Sequence, residues 1–383
     1  MRQIGRAIGD FVKKADIVLL LLCIVTTIFG IVVISSATNY AGNSRYVSVQ
    51  SAALVLGVLI YIFLTLVDVD IIAERRELLL IFCVLFIGSL YVFGMEGDTG
   101  NKSWMDLPLL PFNIQPAEVC KIFFIIILAK MMSVSQNKLS TPMNILKLGG
   151  LTVFFFLLIV YVSSDLGVAL IYISIFLVMA FVGGVNIFWF AGGLAAVGAA
   201  APILWTQLRD DQKERILMLF DPSIDPLGQG VRWDTNLSLQ AISNGGITGQ
   251  GLYNGPMIQS HSIYAQHTDF IFSAIAEELG VIGCIAVLLL LTTIVVRCIY
   301  VGIKSQNYMN RMICMGVAGM MLFQIIINVG MCLGVLPVIG LTLPFISYGG
   351  SSIVTMFMAM GVVSGIHMRP APDANARYIR PRY

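Results

Sequence analysis

Residues 17–34 read IVLLLLCIVTTIFGIVVI, an apolar run with no charge in it. A bilayer hydrocarbon core of about 30 Å takes roughly 20 helical residues, so this run with its flanks is long enough to cross one. It follows Lys13 and Lys14, is too long for a signal-peptide core and lacks a small-residue cleavage site. It therefore reads as a retained first span. The composition agrees: 58% of the 383 residues are hydrophobic and 11% are charged, against about 45–50% and about 25% in soluble domains. That excludes an ordinary cytosolic enzyme and a disordered chain, and a net charge of +2 offers no basic surface for nucleic acid. A mean hydropathy of +0.89 points to the bilayer.

Working outward from the first run, further candidate spans fall at 47–67, 78–94, 116–133, 145–162, 166–184, 187–205, 269–297, 311–334 and 345–367. The expected fold is an all-α integral membrane protein, a single polytopic bundle of about ten transmembrane helices filling residues 1–383. Lys and Arg set its orientation, because cytoplasmic loops retain positive charge. With the N-terminus inside, the inner segments hold Lys13, Lys14, Arg75, Arg76, Lys130, Lys138, Lys147, Arg297, Lys304 and Arg311, while the short outer loops hold only Arg45 and Lys102. Both tails, 1–16 and 369–383, are then cytoplasmic. The one long connection, 206–268, becomes a large extracellular loop. Its composition suits order, with Ile216 to Phe220 as a short interfacial helix and Asp221-Pro222 and Asp225-Pro226 as turns. The seven cysteines show no Cys-x-x-Cys and no metal spacing, so they read as small buried apolar residues.

With so few charges, those near membrane depth carry the functional information. Glu118 and Lys121 follow Gln115-Pro116 at the outer start of the fourth span. Their i, i+3 spacing admits a neutralised structural pair, or a polar pocket in which Lys121 meets an anionic ligand group and Glu118 orients it. Asp165 opens the sixth span as an N-cap, on the same side of the membrane. Glu277 and Glu278 lie in the outer half of the eighth span and need water or partners there. Asp269 sits where the long loop re-enters the membrane, either as a helix cap or as a general base beside a wet cleft. His267 is an alternative base. A metal held by His261 and His267 has no acidic spacing to support it, so no metal ligands are assigned. The glycine-rich stretch Asn244 to Gly255 offers either turns or backbone N–H groups for phosphate. It lacks the strand that a dinucleotide fingerprint requires. In the second cluster, Pro344 to Ser352, small residues suit close helix packing.

An enzyme acting outside the cytoplasmic membrane must draw its driving force from an activated substrate, which favours a donor carried on a lipid. The strings Lys102-Ser103-Trp104, Gln115-Pro116-Ala117-Glu118-Val119-Cys120-Lys121, Asp165-Leu166-Gly167, Arg215 to Asp221-Pro222, His267-Thr268-Asp269-Phe270-Ile271-Phe272, Ala276-Glu277-Glu278-Leu279-Gly280 and Leu343 to Ser352 resemble the shape, elongation, division and sporulation (SEDS) family, which includes RodA and FtsW. The likeness is co-linear over nearly the whole span region. It departs at Ser163-Ser164, where many members have Gln-Pro, a change that bears on local helix geometry rather than on Asp165.

The resemblance implies a ten-span peptidoglycan glycosyltransferase in the bacterial cell membrane. Such an enzyme polymerises lipid II on the outer face and works with a class B penicillin-binding protein. It also implies that Asp269 is the essential outer-loop aspartate, that Glu118, Lys121 and Asp165 line a polar membrane cavity, and that Trp104 is the tryptophan of the outer loop before the fourth span. The expected reaction is an inverting transfer with Asp269 as base. Lys121, Arg215, Lys102 or a divalent cation would meet the departing pyrophosphate, and no organic cofactor is needed. A flippase or transporter for the same lipid is the alternative, since buried Glu118 and Lys121 also suit a substrate path. Against it, the charges cluster in the outer half and no inverted repeat is visible. A non-catalytic scaffold would leave the outer acids unexplained. The Ala276-Glu277-Glu278 string and the short tails lean towards an elongation-type member.

Overall fold

The computed structural model describes residues 14–42, 44–95, 102–108, 110–207, 213–214, 217, 230 and 232–369. Each apolar run becomes a helix, because backbone amides in a bilayer must be satisfied within their own segment. In chain order these are α1 (Ile17–Ala37), α2 (Arg45–Leu66), α3 (Arg76–Gly88, continued by Leu90–Phe93), α4 (Pro116–Val134), α5 (Pro142–Ser163), α6 (Leu166–Val182) and α7 (Ile187–Gln207). A non-spanning α8 (Trp233–Gly245) follows, then α9 (Ile271–Lys304), α10 (Tyr308–Cys332) and α11 (Gly350–Met368). Among the described residues, 7 spans are long and apolar enough to cross a membrane, and α6 and α7 supply shorter apolar helices. The remaining spanning helix, α4, has the length but carries Glu118, Lys121 and Lys130.

Burial separates the centre from the rim. In α10 and α11 78% of the spanning window is buried inside the protein, against 17% for residues 76–93 and 22% for α5, so α10 and α11 form the core and α3 and α5 face lipid. Exposed Leu85, Leu157 and Leu289 are lipid contacts, not defects. The cysteines are buried, apart from half-buried Cys284, and none is disulfide-bonded.

Three departures from the expected spans have local causes. α9 runs to Lys304 but breaks at Gly280 (φ 66°, ψ −167°). The break frees the carbonyls of Glu277 and Glu278, which accept from the N–H groups of Gln250 and Gly251 at 2.9 Å each, while Val281 N–H donates to Gly246 at 3.0 Å. Two of the glycine-rich stretch's N–H groups are therefore committed to α9, against which the stretch docks. A Cβ at Gly280 would stand 2.4 Å from the Gly249 nitrogen, so only glycine fits. The last span begins at Gly350, later than the expected 345, because Phe345 takes φ 64° and breaks the run. Gly350 itself admits the Phe112 ring, 2.2 Å from where a Cβ would lie. Finally, Ser164 caps α5 at φ 55°. Proline, locked near −65°, cannot take that value.

The expected cytoplasmic tail reaches into the bundle at its end. Asp16 is buried, caps α1 through the Leu19 N–H at 3.1 Å, and receives Arg297 Nε and Nη2 at 2.8 and 3.1 Å. Removing the arginine leaves a buried carboxylate unpaired. Arg297→Ala is expected to lower stability by about 3 kcal/mol, read as a fall in the detergent-solubilised melting temperature. A melting temperature equal to the parent's would exclude the pair as a staple.

Candidate active site

The turn before α9 is tied down residue by residue. Gln266 Nε2 donates to the carbonyls of Ala37 and Ile258 at 2.7 and 2.9 Å. The His267 carbonyl accepts from Tyr348 N–H at 2.9 Å, and the Thr268 carbonyl from Ser347 Oγ at 2.6 Å. Asn328 Nδ2 donates to the Asp269 carbonyl at 2.8 Å and to the Leu341 carbonyl at 2.7 Å. Four consecutive residues are thus fixed by α1, α10 and the segment before α11. The Asp269 side chain stays half-exposed, its Oδ2 3.5 Å from the place a Gly340 Cβ would occupy. It is not the helix cap, since Phe270 holds that position. A partly open carboxylate on a fixed backbone is the arrangement a positioned base requires.

A second polar group sits between α4 and α6. Lys121 Nζ lies 2.6 Å from Glu118 Oε1, with both side chains buried, and Glu118 Oε2 has no hydrogen-bond partner among the described residues. Asp165 caps α6 through the Val168 N–H at 3.0 Å, and its Oδ2 accepts from Gln115 Nε2 at 2.8 Å. Gln115 N–H donates to Ser351 Oγ at the start of α11, at 3.1 Å. The stretch 339–341 is a shared wall. It touches Gly167 through the Ile339 carbonyl and Asp269 through Gly340, and Asn328 bridges it to Asp269. The sequence placed Asp269, Asp165, Glu118 and Lys121 on one side of the bundle, and they gather at one end of it.

Trp104 is half-buried in a small antiparallel pairing, its carbonyl accepting from Met95 N–H at 2.8 Å, with Met105 paired to Ile114. Ser103 Oγ donates to the Ser163 carbonyl at 3.3 Å, which sets this hairpin beside Asp165. Lys102 is exposed on it. Arg215 and most of the expected interfacial helix 216–220 lie outside the described residues.

Glu277 and Glu278 hold the loop. Glu277 Oε1 accepts from Asn244 Nδ2 and Met257 N–H at 3.1 Å each, and Oε2 from Ile258 N–H at 2.9 Å. Glu278 Oε1 accepts from Ser36 Oγ at 2.6 Å and Gln259 Nε2 at 3.0 Å. The partners these acids were expected to need come from the long loop and α1.

His267 packs edge-on to Tyr46 at 4.9 Å and beside Tyr348 at 5.6 Å between ring centroids. Burial, with His261 adding, pushes its pKa from 6.5 down to about 4. The folded form is then neutral where the unfolded chain is protonated, so stability present above pH 6.5 is lost as pH falls towards 4. Melting temperature should decline across that window, and less steeply in His267→Gln. Parallel curves would exclude the histidine as the cause.

Asn328, Gln266 and Gln50 were not singled out in the sequence, although Gln50 Nε2 donates to the Ser347 carbonyl at 3.0 Å and its Oε1 accepts from Gly349 N–H at 3.1 Å. An amide inside an apolar run was the available signal for Asn328 and Gln50, as it was for the charges.

Comparison with known proteins identifies the family. The family model of FtsW, RodA and SpoVE, described as cell cycle protein, matches residues 16–371. The chain is 30% identical to the peptidoglycan glycosyltransferase MrdB of Escherichia coli K12 over 357 residues, covering 92% of this chain and 93% of that one. It is also 30% identical to stage V sporulation protein E of Bacillus subtilis, covering 92% and 96%. Among solved structures it resembles a chain of a peptidoglycan synthase complex that coordinates polymerization and crosslinking (TM-score 0.79, 30% identity, 94% and 99% covered). It also resembles the rod shape determining protein RodA of Thermus thermophilus (TM-score 0.67, 26% identity, 94% and 98% covered). The chain belongs to the FtsW/RodA/SpoVE family.

Proposed function

We propose that this protein is a peptidoglycan glycosyltransferase that polymerises lipid II at the outer face of the cell membrane, with Asp269 as general base. The carrying observation is Asp269 itself, a half-buried carboxylate in a turn held through the Gln266 side chain and three successive backbone carbonyls beside a polar cluster at the same end. Asp269 takes the proton of the acceptor sugar's 4-hydroxyl as that oxygen bonds to the donor's anomeric carbon. The bond to pyrophosphate breaks, and undecaprenyl pyrophosphate leaves with the electron pair. Pyrophosphate is already a good leaving group, so one base suffices and no second acid is required.

Leaving-group charge calls for a cation. Lys121 is sealed against Glu118 at 2.6 Å, which fits it to setting the shape and charge of the cluster. Exposed Lys102, on the Trp104 hairpin, is the better placed candidate. Among the described residues no three His, Cys, Asp or Glu group together as metal ligands, and no step is routed through an ion.

The basic segments support a cytoplasmic placement of both termini. A class B penicillin-binding protein is the proposed partner, by analogy with the complex that joins polymerization to crosslinking. Purified protein in vesicles with lipid II tests the reading. Glycan chains are expected. Translocation of lipid II without chains would make the protein a transporter, and neither outcome would leave a scaffold.

A further inference from the structure

At the end of the bundle remote from Asp269, α3, α4 and α5 stand apart around a cavity of about 580 Å³, within the usual range for small-molecule sites, about 300–1,000 Å³. Its walls have a direction. On α3, Arg76 comes first and Leu80 lies one turn deeper; on α5, Lys147 comes first, then Leu151 and Phe154. These are i, i+4 and i, i+7 positions, so each helix presents one stripe running from a cation to apolar carbon. Over the seven residues from 147 to 154 the α5 stripe descends about 10 Å.

The mouth is electropositive. Both α3 and α5 begin there without a side-chain cap, adding the positive ends of two helix dipoles. Lys147 is exposed, with no hydrogen bond or ion pair among the described residues. Opposing charge comes from Glu77, which is 74% exposed and paired with Arg76 at 3.1 Å, and from the carbonyl end of α4. An exposed pair of this kind is weak and gives way to a better anion.

We infer that this groove binds one anionic bilayer phospholipid, its phosphate between Arg76 and Lys147 and an acyl chain along Leu80, Leu151 and Phe154. Free phosphate would leave the apolar stripes without use, and a zwitterionic lipid would bring its own cation to the basic mouth. Basic pockets between spanning helices are known to take anionic head groups. The site is separate from the Asp269 cluster and does not depend on the reaction proposed there.

The test is native mass spectrometry of the full-length protein taken from nanodiscs of phosphatidylglycerol and phosphatidylcholine. Wild type should retain phosphatidylglycerol preferentially. Arg76→Gln with Lys147→Gln, at half-buried and exposed positions that leave the core untouched, should cut that retention about thirty-fold and leave phosphatidylcholine unchanged. Lys138→Ala, an exposed lysine outside the groove at the same end, should change nothing. Four results would overturn the site: full retention by the double variant, no preference in wild type, an equal loss in Lys138→Ala, or displacement of phosphatidylglycerol by equimolar undecaprenyl pyrophosphate.

Discussion

Asp269→Asn should reduce glycan synthesis by about 10²- to 10⁴-fold, the contribution of a positioned general base, while the protein inserts and melts as the parent does. The substitution keeps the side chain's shape and removes its charge and its ability to accept the proton. The contacts that fix the turn come from the Gln266 side chain and from the His267, Thr268 and Asp269 carbonyls, so they survive it. The loss should appear in kcat, with lipid II affinity nearly unchanged. A variant making chains at the parental rate would remove Asp269 from the chemistry. A variant that fails to insert would make it structural.

Glu277→Ala should be the most damaging change away from the reacting groups. This fully buried carboxylate receives two backbone N–H groups and one side-chain amide from the long loop. Truncation leaves three donors without a partner in a buried site, at about 1–3 kcal/mol each. The damage passes to the site by a short path: Glu277 holds Ile258, the Ile258 carbonyl accepts from Gln266, and Gln266 ties the turn that ends in Asp269. A displacement of about 1 Å there costs about 10²-fold in rate. Melting temperature should fall by several degrees, proteases should cut between 244 and 268, and activity should drop by about that factor. Parental proteolysis and activity would show that the loop is held by other means.

Most of the architecture was legible because hydropathy in a bilayer is a strong signal. The first run became α1 and the later runs became helices near their expected bounds. What escaped was set by partners distant in sequence. The break at Gly280 exists because Gly246 to Gly251 fold against it, and a run of apolar residues gives no sign of that. Glu277 and Glu278 were read as membrane-depth acids, yet the groups that satisfy them lie in α1 and the long loop. Asp269 was legible as a polar residue at a membrane re-entry point. Its scaffold was less so, because Asn328, Gln266 and Gln50 are uncharged amides and the reading rested on charge.

The most direct test of a single base and direct displacement is the configuration of the glycosidic bond made by purified protein from lipid II. Inversion at the donor's anomeric carbon is the predicted result. Retention would require a covalent intermediate on a second nucleophile and would contradict the account.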